Sequence, residues 1–183
     1  MKITRRAFTL GLGAALVAGC NNGIGSPGAA RIDARVDQTL NSLYSQYPST
    51  RDLAEKSVGT LVMPLVNEAG FGLGGAYGRG ALRVGGATVD YYSVSKASAG
   101  LQIGAQQYSH VLFFMTENAL TSFRRSPGWA AGANVAYAAL TEGQALAAET
   151  TTSLAPVIAV IFGQSGLRVG ATLEGVKYTR IIP

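Results

Sequence analysis

Gly70-Phe71-Gly72-Leu73-Gly74-Gly75 decides how this chain is read: its pattern of glycine, apolar, any residue, small or branched apolar, glycine and small residue returns three times. The returns are Gly100-Leu101-Gln102-Ile103-Gly104-Ala105, Gly128-Trp129-Ala130-Ala131-Gly132-Ala133 and Gly166-Leu167-Arg168-Val169-Gly170-Ala171. Strand residues alternate faces, so each copy places apolar side chains on one face and glycines on the other. A bare glycine face lets another backbone come close or lets a sheet bend. The helical Gly-x-x-x-Gly contact of membrane spans would need an apolar run of about twenty residues around it, which no copy has. The copies therefore read as four related strands of one curved sheet or barrel.

Working outward, Ile32, Val36, Leu40, Leu43 and Tyr47 recur at helical spacing and predict an amphipathic helix. Ser49 with Asp52 three residues on predicts the start of a short second helix through Leu53 to Ser57. Asn67-Glu68-Ala69 separates the apolar run Leu61–Val66 from the first glycine copy and suggests a hairpin there. His110–Met115 reads as a buried strand, and Thr116 caps a helix beginning at Glu117 that Ser126-Pro127-Gly128 ends. Val157–Phe162 followed by Gln164-Ser165-Gly166 repeats the order of the first strand, tight turn and glycine strand. The fold class is α+β: a curved, Gly-rich antiparallel sheet or barrel-like sandwich with an N-terminal amphipathic helix and one mid-chain helix.

The start of the chain reads as an export signal over residues 1–19, with Lys2, Arg5 and Arg6 ahead of a short apolar run. Thr4-Arg5-Arg6-Ala7-Phe8 resembles a twin-arginine motif, and Val17-Ala18-Gly19-Cys20 resembles a lipobox. Cys20, the only cysteine, is then the lipid anchor, and the glycine-rich residues 20–31 form a flexible tether to a domain over 32–183. These features place the domain in a cell envelope, facing the periplasm. Asn21 rather than aspartate after the anchor favours the outer membrane under the enterobacterial sorting rule. Without residues 1–19 the chain has 12 basic and 10 acidic residues, a net charge of +2. That is no footprint for nucleic acid, which calls for a concentrated basic face.

Arg79, Arg83 and Lys96 lie on or beside the glycine strands, where bare backbone and cations together suit a phosphate; they are the candidate lipid-binding residues. Solvated strand-face charge is the competing account of them. Arg124-Arg125 falls in the last turn of its helix, where cations complement the dipole. Tyr91, Tyr92 and Trp129 suit either an apolar pocket or the core, with Trp129 assigned to the core. His110 is the only histidine and opens an apolar strand, so neither a Ser-His-Asp site nor a histidine-rich metal site is expected. Asp90, Glu142 and Glu174 carry no weight as a carboxylate pair without geometry. The glycine copies lack the Lys-Ser/Thr of a phosphate-binding loop. No catalytic residue, metal, cofactor or small-molecule substrate is expected.

Phe71–Gly80 (FGLGGAYGRG), Gly100–Gln106 (GLQIGAQ), Phe113–Phe123 (FFMTENALTSF) with Gly128-Trp129, and Leu167–Gly175 (LRVGATLEG) resemble the SYLF domain, in the family's order, from about Leu53 to Ile182. The resemblance implies a mixed helix and sheet fold with membrane phospholipid, phosphoinositides in eukaryotes, as the ligand. Some eukaryotic relatives also bind actin, which an exported bacterial lipoprotein would not meet. Eukaryotic members use an N-terminal amphipathic segment against membranes. Here that segment balances Asp33 and Asp37 against Arg31 and Arg35, which argues against its insertion into anionic lipid. The expected function is non-enzymatic phospholipid binding by an envelope lipoprotein. The alternative is a structural or protein-interaction module of the envelope. A basic rim around an apolar groove would favour lipid; an apolar patch without one would favour a protein partner.

Overall fold

The computed structural model describes residues 26–131, 135–139, 155–166, 173 and 175–183. Two helices lead: α1 (Gly28–Gln46) and α2 (Thr50–Lys56). The helical spacing in the sequence is realised, with Ile32, Val36 and Leu43 of α1 buried and Tyr47 buried at its end. The start of α2 differs from the expected capping box. Ser49 makes no side-chain cap; instead the Thr50 hydroxyl donates to the Tyr47 carbonyl at 2.7 Å.

Next come β1 (Gly59–Val84) and β2 (Ala87–Phe114), one long antiparallel hairpin. Its turn is Gly85-Gly86 at φ +56° and +82°, a two-residue connection that side chains disfavour. The expected hairpin at Asn67-Glu68-Ala69 is not there. These residues continue β1, opposite Gln107, Gln106 and Ala105. Polarity marked a break in the sequence, but Glu68 is buried and accepts from Gln106 Nε2 at 2.8 Å, which keeps the strand in register. Gln164-Ser165-Gly166 likewise continues its strand rather than turning.

The first two glycine copies are partners. Gly70 lies opposite Gly104 and Leu73 opposite Ala99, so residues 100–102 bulge against Gly72. Such bulges bend and twist a ladder. The bend brings the two halves of β1 together. A Cβ on Gly78 would stand 2.6 Å from the Leu65 carbonyl oxygen, and one on Gly80 would run into the Val62 carbonyl oxygen. Glycine is thus required for backbone to meet backbone at Gly78 and Gly80, which follow the first glycine copy rather than belong to it.

After α3 (Glu117–Arg125) the chain adds β3 (Trp129–Ala130), β4 (Val135–Ala139), β5 (Val157–Gly166) and β6 (Lys177–Ile181). Along its other edge β2 pairs with β6 near Tyr91–Ser95 and with β5 near Gln106–Phe114. β3 flanks β6, and β4 flanks β5 in parallel, so the six described strands form a curled, mixed half-barrel. This is the α+β curved sheet expected, with one parallel pair added.

Alternation along the strands builds two apolar layers. Leu61, Met63, Leu112, Phe114, Val157, Ala159 and Ile161 face the concave side, where α3 contributes Leu120 and Phe123. Val62, Val111, Phe113, Ile158, Val160 and Phe162 face the convex side and are covered by α1 and α2. The Thr116 hydroxyl caps α3 as expected, accepting from Ala119 N–H at 3.3 Å. Trp129 packs 5.4 Å from the Phe123 ring, against the inner core. The signal sequence, Cys20, Glu142, Glu174 and most of the fourth glycine copy lie outside the described residues, as do Gly132 and Ala133 of the third.

Candidate functional site

Strand parity sorts the three expected lipid-binding residues. Arg79 and Arg83 share the convex face, as their spacing implies, whereas Lys96 stands opposite Ala76, which packs in the concave core. The structure therefore does not gather them. Arg83 lies against α1, 2.7 Å from Asp37 and 3.7 Å from Asp33, and also donates to the Gly86 carbonyl at 3.1 Å. Lys96 lies 3.9 Å from the buried Glu68 carboxylate. Arg83 lines a cavity of about 400 Å³ together with Asp37 and Glu55, whereas Arg79 lines a separate cleft.

That cleft lies between α1 and β1 and encloses about 350 Å³. Arg31 and Arg35 of α1 and Arg79 of β1 line it, with Leu65, Asn67 and Tyr77; no carboxylate is among its lining residues. Residues 31 and 35 are one helical turn apart and share a stripe of α1; 33 and 37 share another. The acidic stripe is consumed by the sheet. Besides Arg83, Thr88 and Tyr91 donate to Asp33, each at 2.7 Å. Burial, together with this bond and the Asp33 charge, pushes the Tyr91 hydroxyl up to about 12. The basic stripe is left over: among the described residues, the side chains of Arg31 and Arg35 make no hydrogen bond or ion pair. Arg79 Nε donates to the Tyr77 hydroxyl at 2.9 Å, which orients its guanidinium.

Tyr77 and Leu65 of the cleft lining are 51% and 39% exposed, and Leu73, on the same face of β1 as Tyr77, is 77% exposed. An exposed apolar group and a basic cleft thus share one surface. Sequence reading missed Arg31 and Arg35 because equal charge along α1 was taken as neutrality. The signal was present: two interleaved i, i+4 pairs of opposite sign make one basic and one acidic edge.

The concave face holds a second set of polar groups, of which the sequence reading weighed only His110, and only as a catalytic or metal-ligating residue. Gln106, Tyr108 and His110 alternate along β2 and are all buried. His110 Nε2 lies 2.8 Å from the Tyr178 hydroxyl, and burial lowers the His110 pKa to about 3, so the ring is neutral. Burial, then the Glu68 charge, pushes the Tyr108 hydroxyl above its ordinary range. His110 Nδ1, the Tyr108 hydroxyl and Gln106 Oε1 have no hydrogen-bond partner among the described residues. The clue was the period of two, with polar residues recurring inside an apolar strand. Asp90 serves as an anchor, 2.9 Å from Arg124 and 3.5 Å from Arg180.

Residues 95–180 match the family model Ysc84, described as Las17-binding protein actin regulator. That family is the SYLF domain family, so over this stretch the resemblance carried by the glycine copies is shown. The match begins in the middle of β2. It takes in the concave residues Lys96, Gln106, Tyr108, His110 and Tyr178, whereas Arg31, Arg35 and Arg79 precede it. No curated protein matches the chain.

Proposed function

We propose that the chain is a bacterial envelope lipoprotein, anchored through Cys20, whose SYLF domain binds membrane phospholipid without catalysing a reaction. The observation that carries this reading is the basic cleft of Arg31, Arg35 and Arg79 on the same face as exposed Leu73 and Tyr77. A basic rim beside apolar side chains suits a lipid surface better than an apolar protein partner does. The family description speaks of Las17 and actin, but the lipobox and export signal point to a compartment without them.

Magnitudes agree with a tethered binder. Three cations near an anionic surface contribute about 1 kcal/mol each, and partial insertion of Leu73 about 2 kcal/mol. Together they give a dissociation constant on the order of 0.2 mM. A short tether supplies an effective concentration in the millimolar range, so weak contacts suffice. Gly28 lines the cleft and stands eight positions after Cys20. At about 3.6 Å per residue the cleft lies within about 30 Å of the anchor.

The test is co-sedimentation of the chain carrying Cys20→Ser with neutral and anionic vesicles, at low and physiological salt. Binding that favours anionic vesicles and weakens with salt and with Leu73→Ser supports the reading. Absence of sedimentation with either vesicle overturns it and favours the envelope protein-interaction alternative.

A further inference from the structure

We infer that a second cavity, between α1 and the bulged parts of β1 and β5, takes a sugar ring bearing one carboxylate, with Arg35 as the partner of that carboxylate. It adjoins the basic cleft, sharing Arg35, Pro64 and Leu65 with it, but does not depend on the membrane reading. The cavity encloses about 350 Å³, near the lower end of ligand sites, which suits a small molecule or one unit of a chain. Its wall comes from α1, where Arg35, Gln38, Thr39, Ser42 and Gln46 recur at the spacing of one helical stripe.

Two bulges make the floor. Pro64 and Leu65 of β1 stand against the single residue Ser109 of β2, and Gly163 and Gln164 of β5 stand against Tyr108. Bulges open a ladder locally and recur beside functional sites. The Ser109 hydroxyl donates to the Pro64 carbonyl at 2.7 Å and fixes the first bulge. Gly163, at φ +63°, shapes the second, and a Cβ there would meet nothing nearer than Ser109 Oγ at 4.0 Å. Bare backbone at Gly163 is therefore open to a ligand, beside the apolar surfaces of Pro64, Leu65 and Phe162.

The lining selects the ligand class. Its described residues include no carboxylate and a single cation, which suits neither a cationic ligand nor a multiply charged anion. The other α1 side chains are uncharged amides and hydroxyls, which both donate and accept, as sugar hydroxyls do. Gln46 Nε2 donates to Ser42 Oγ at 2.7 Å, which orients the pair and leaves the Gln46 amide oxygen as an acceptor. A sugar ring joins a polar edge to an apolar C–H face, and the cavity joins a polar wall to an apolar floor. Arg35 makes no hydrogen bond or ion pair among the described residues, and its planar fork matches a carboxylate. An extended peptide fits less well, because β2 is paired on both edges here and offers no strand edge to extend.

The experiment titrates the isotope-labelled Cys20→Ser chain with glucuronate, glucose and acetate and follows backbone amide shifts, whose pattern also confirms that each variant is folded. Glucuronate is expected to bind most tightly, with shifts confined to residues 35–46 of α1 and to the strands around Ser109 and Gly163. Arg35→Gln should weaken glucuronate about tenfold and leave glucose nearly unchanged, whereas Ser42→Ala should weaken both sugars about threefold. Arg125→Gln removes the same charge from α3 and should change neither by more than about twofold. An oligosaccharide that repeats glucuronate separates the sources: tighter binding than the monomer supports a glycan strand as the ligand, and equal binding supports a free sugar. Acetate binding as tight as that of glucuronate reduces the site to a carboxylate contact and overturns the sugar. Shifts that fall elsewhere, or binding of neither sugar, overturn the site itself.

Discussion

Gly80 lies with its Cα against the carbonyl oxygen of Val62, so close that any side chain at 80 would occupy the space of that oxygen. The two residues belong to opposite halves of β1, and their contact is where the hairpin folds onto itself. Because the obstacle is backbone rather than a flexible side chain, relief requires the halves to separate. Overpacking a core typically costs 1–3 kcal/mol, and sometimes more. Gly80→Ala is expected to reach about 3 kcal/mol or above. At Gly75 a Cβ would lie 3.3 Å from the Lys96 carbonyl oxygen, so Gly75→Ala should cost clearly less. Urea unfolding midpoints of the two variants check the order.

His110 predicts a pH dependence with a definite sign. Burial lowers its pKa from 6.5 to about 3, with the rings of Tyr108 and Tyr178 as its neighbours. Between those values the unfolded chain binds a proton that the folded chain excludes. The group's stabilising effect is complete above about pH 6.5 and is lost as pH falls towards about 3, by at most about 1.4 kcal/mol per unit. Unfolding free energies measured between about pH 7 and about pH 5 should fall by up to about 2 kcal/mol for the native chain. His110→Gln removes the titrating group and should flatten that segment of the curve. An unchanged slope in the variant would assign the dependence to other groups.

The first two glycine copies made the curved sheet legible because glycine in a strand interior lets a ladder bend, and they meet at the bulge, although the closest backbone approaches fall at Gly78 and Gly80 just past the first copy. The helical spacing of α1 was legible for a similar reason, since Ile32, Val36 and Leu43 have no other way to reach one core. Asn67-Glu68-Ala69 misled because a polar run normally ends a strand, and only the partner Gln106 across the sheet shows that Glu68 belongs inside. The site was half legible. Arg79 could be singled out as a cation on a glycine strand, but its companions Arg31 and Arg35 come from a helix about fifty residues earlier in the chain. No local pattern records that β1 would lie against their edge of α1 while Arg83 took the other. Lys96 reads like Arg79 in sequence, and one step of parity sends it to the opposite face.

Arg83 and Arg79 are predicted to behave oppositely although they share a face. Arg83 bridges β1 to Asp33 and Asp37 of α1, so Arg83→Gln should loosen the helix rather than the ligand site. Partly exposed ion pairs contribute little, and the expected loss is about 0.5–1 kcal/mol, less at high salt. Vesicle binding by Arg83→Gln should stay within about twofold of the native chain, whereas Arg79→Gln should leave the urea midpoint nearly unchanged and reduce binding. Equal losses of binding in both variants would indicate a diffuse basic face instead of a cleft.

Trp129 is the only tryptophan, and it is packed against Phe123 and Tyr178, so its emission reports the inner core and not the convex face. Tyr77 pairs with Ser95 on β2 and projects outward at the cleft rim, half-exposed. If this face meets a bilayer, a tryptophan introduced by Tyr77→Trp enters the headgroup region, where indole is favoured, and loses water. Its emission should shift to the blue on addition of anionic vesicles in a Trp129→Phe background. The native chain, with Trp129 alone, should show almost no shift under the same conditions. The pair of measurements separates contact from rearrangement. A blue shift confined to Tyr77→Trp places this rim against lipid, whereas a shift of native Trp129 would mean that the half-barrel opens at α3 and that the membrane is met by a different face.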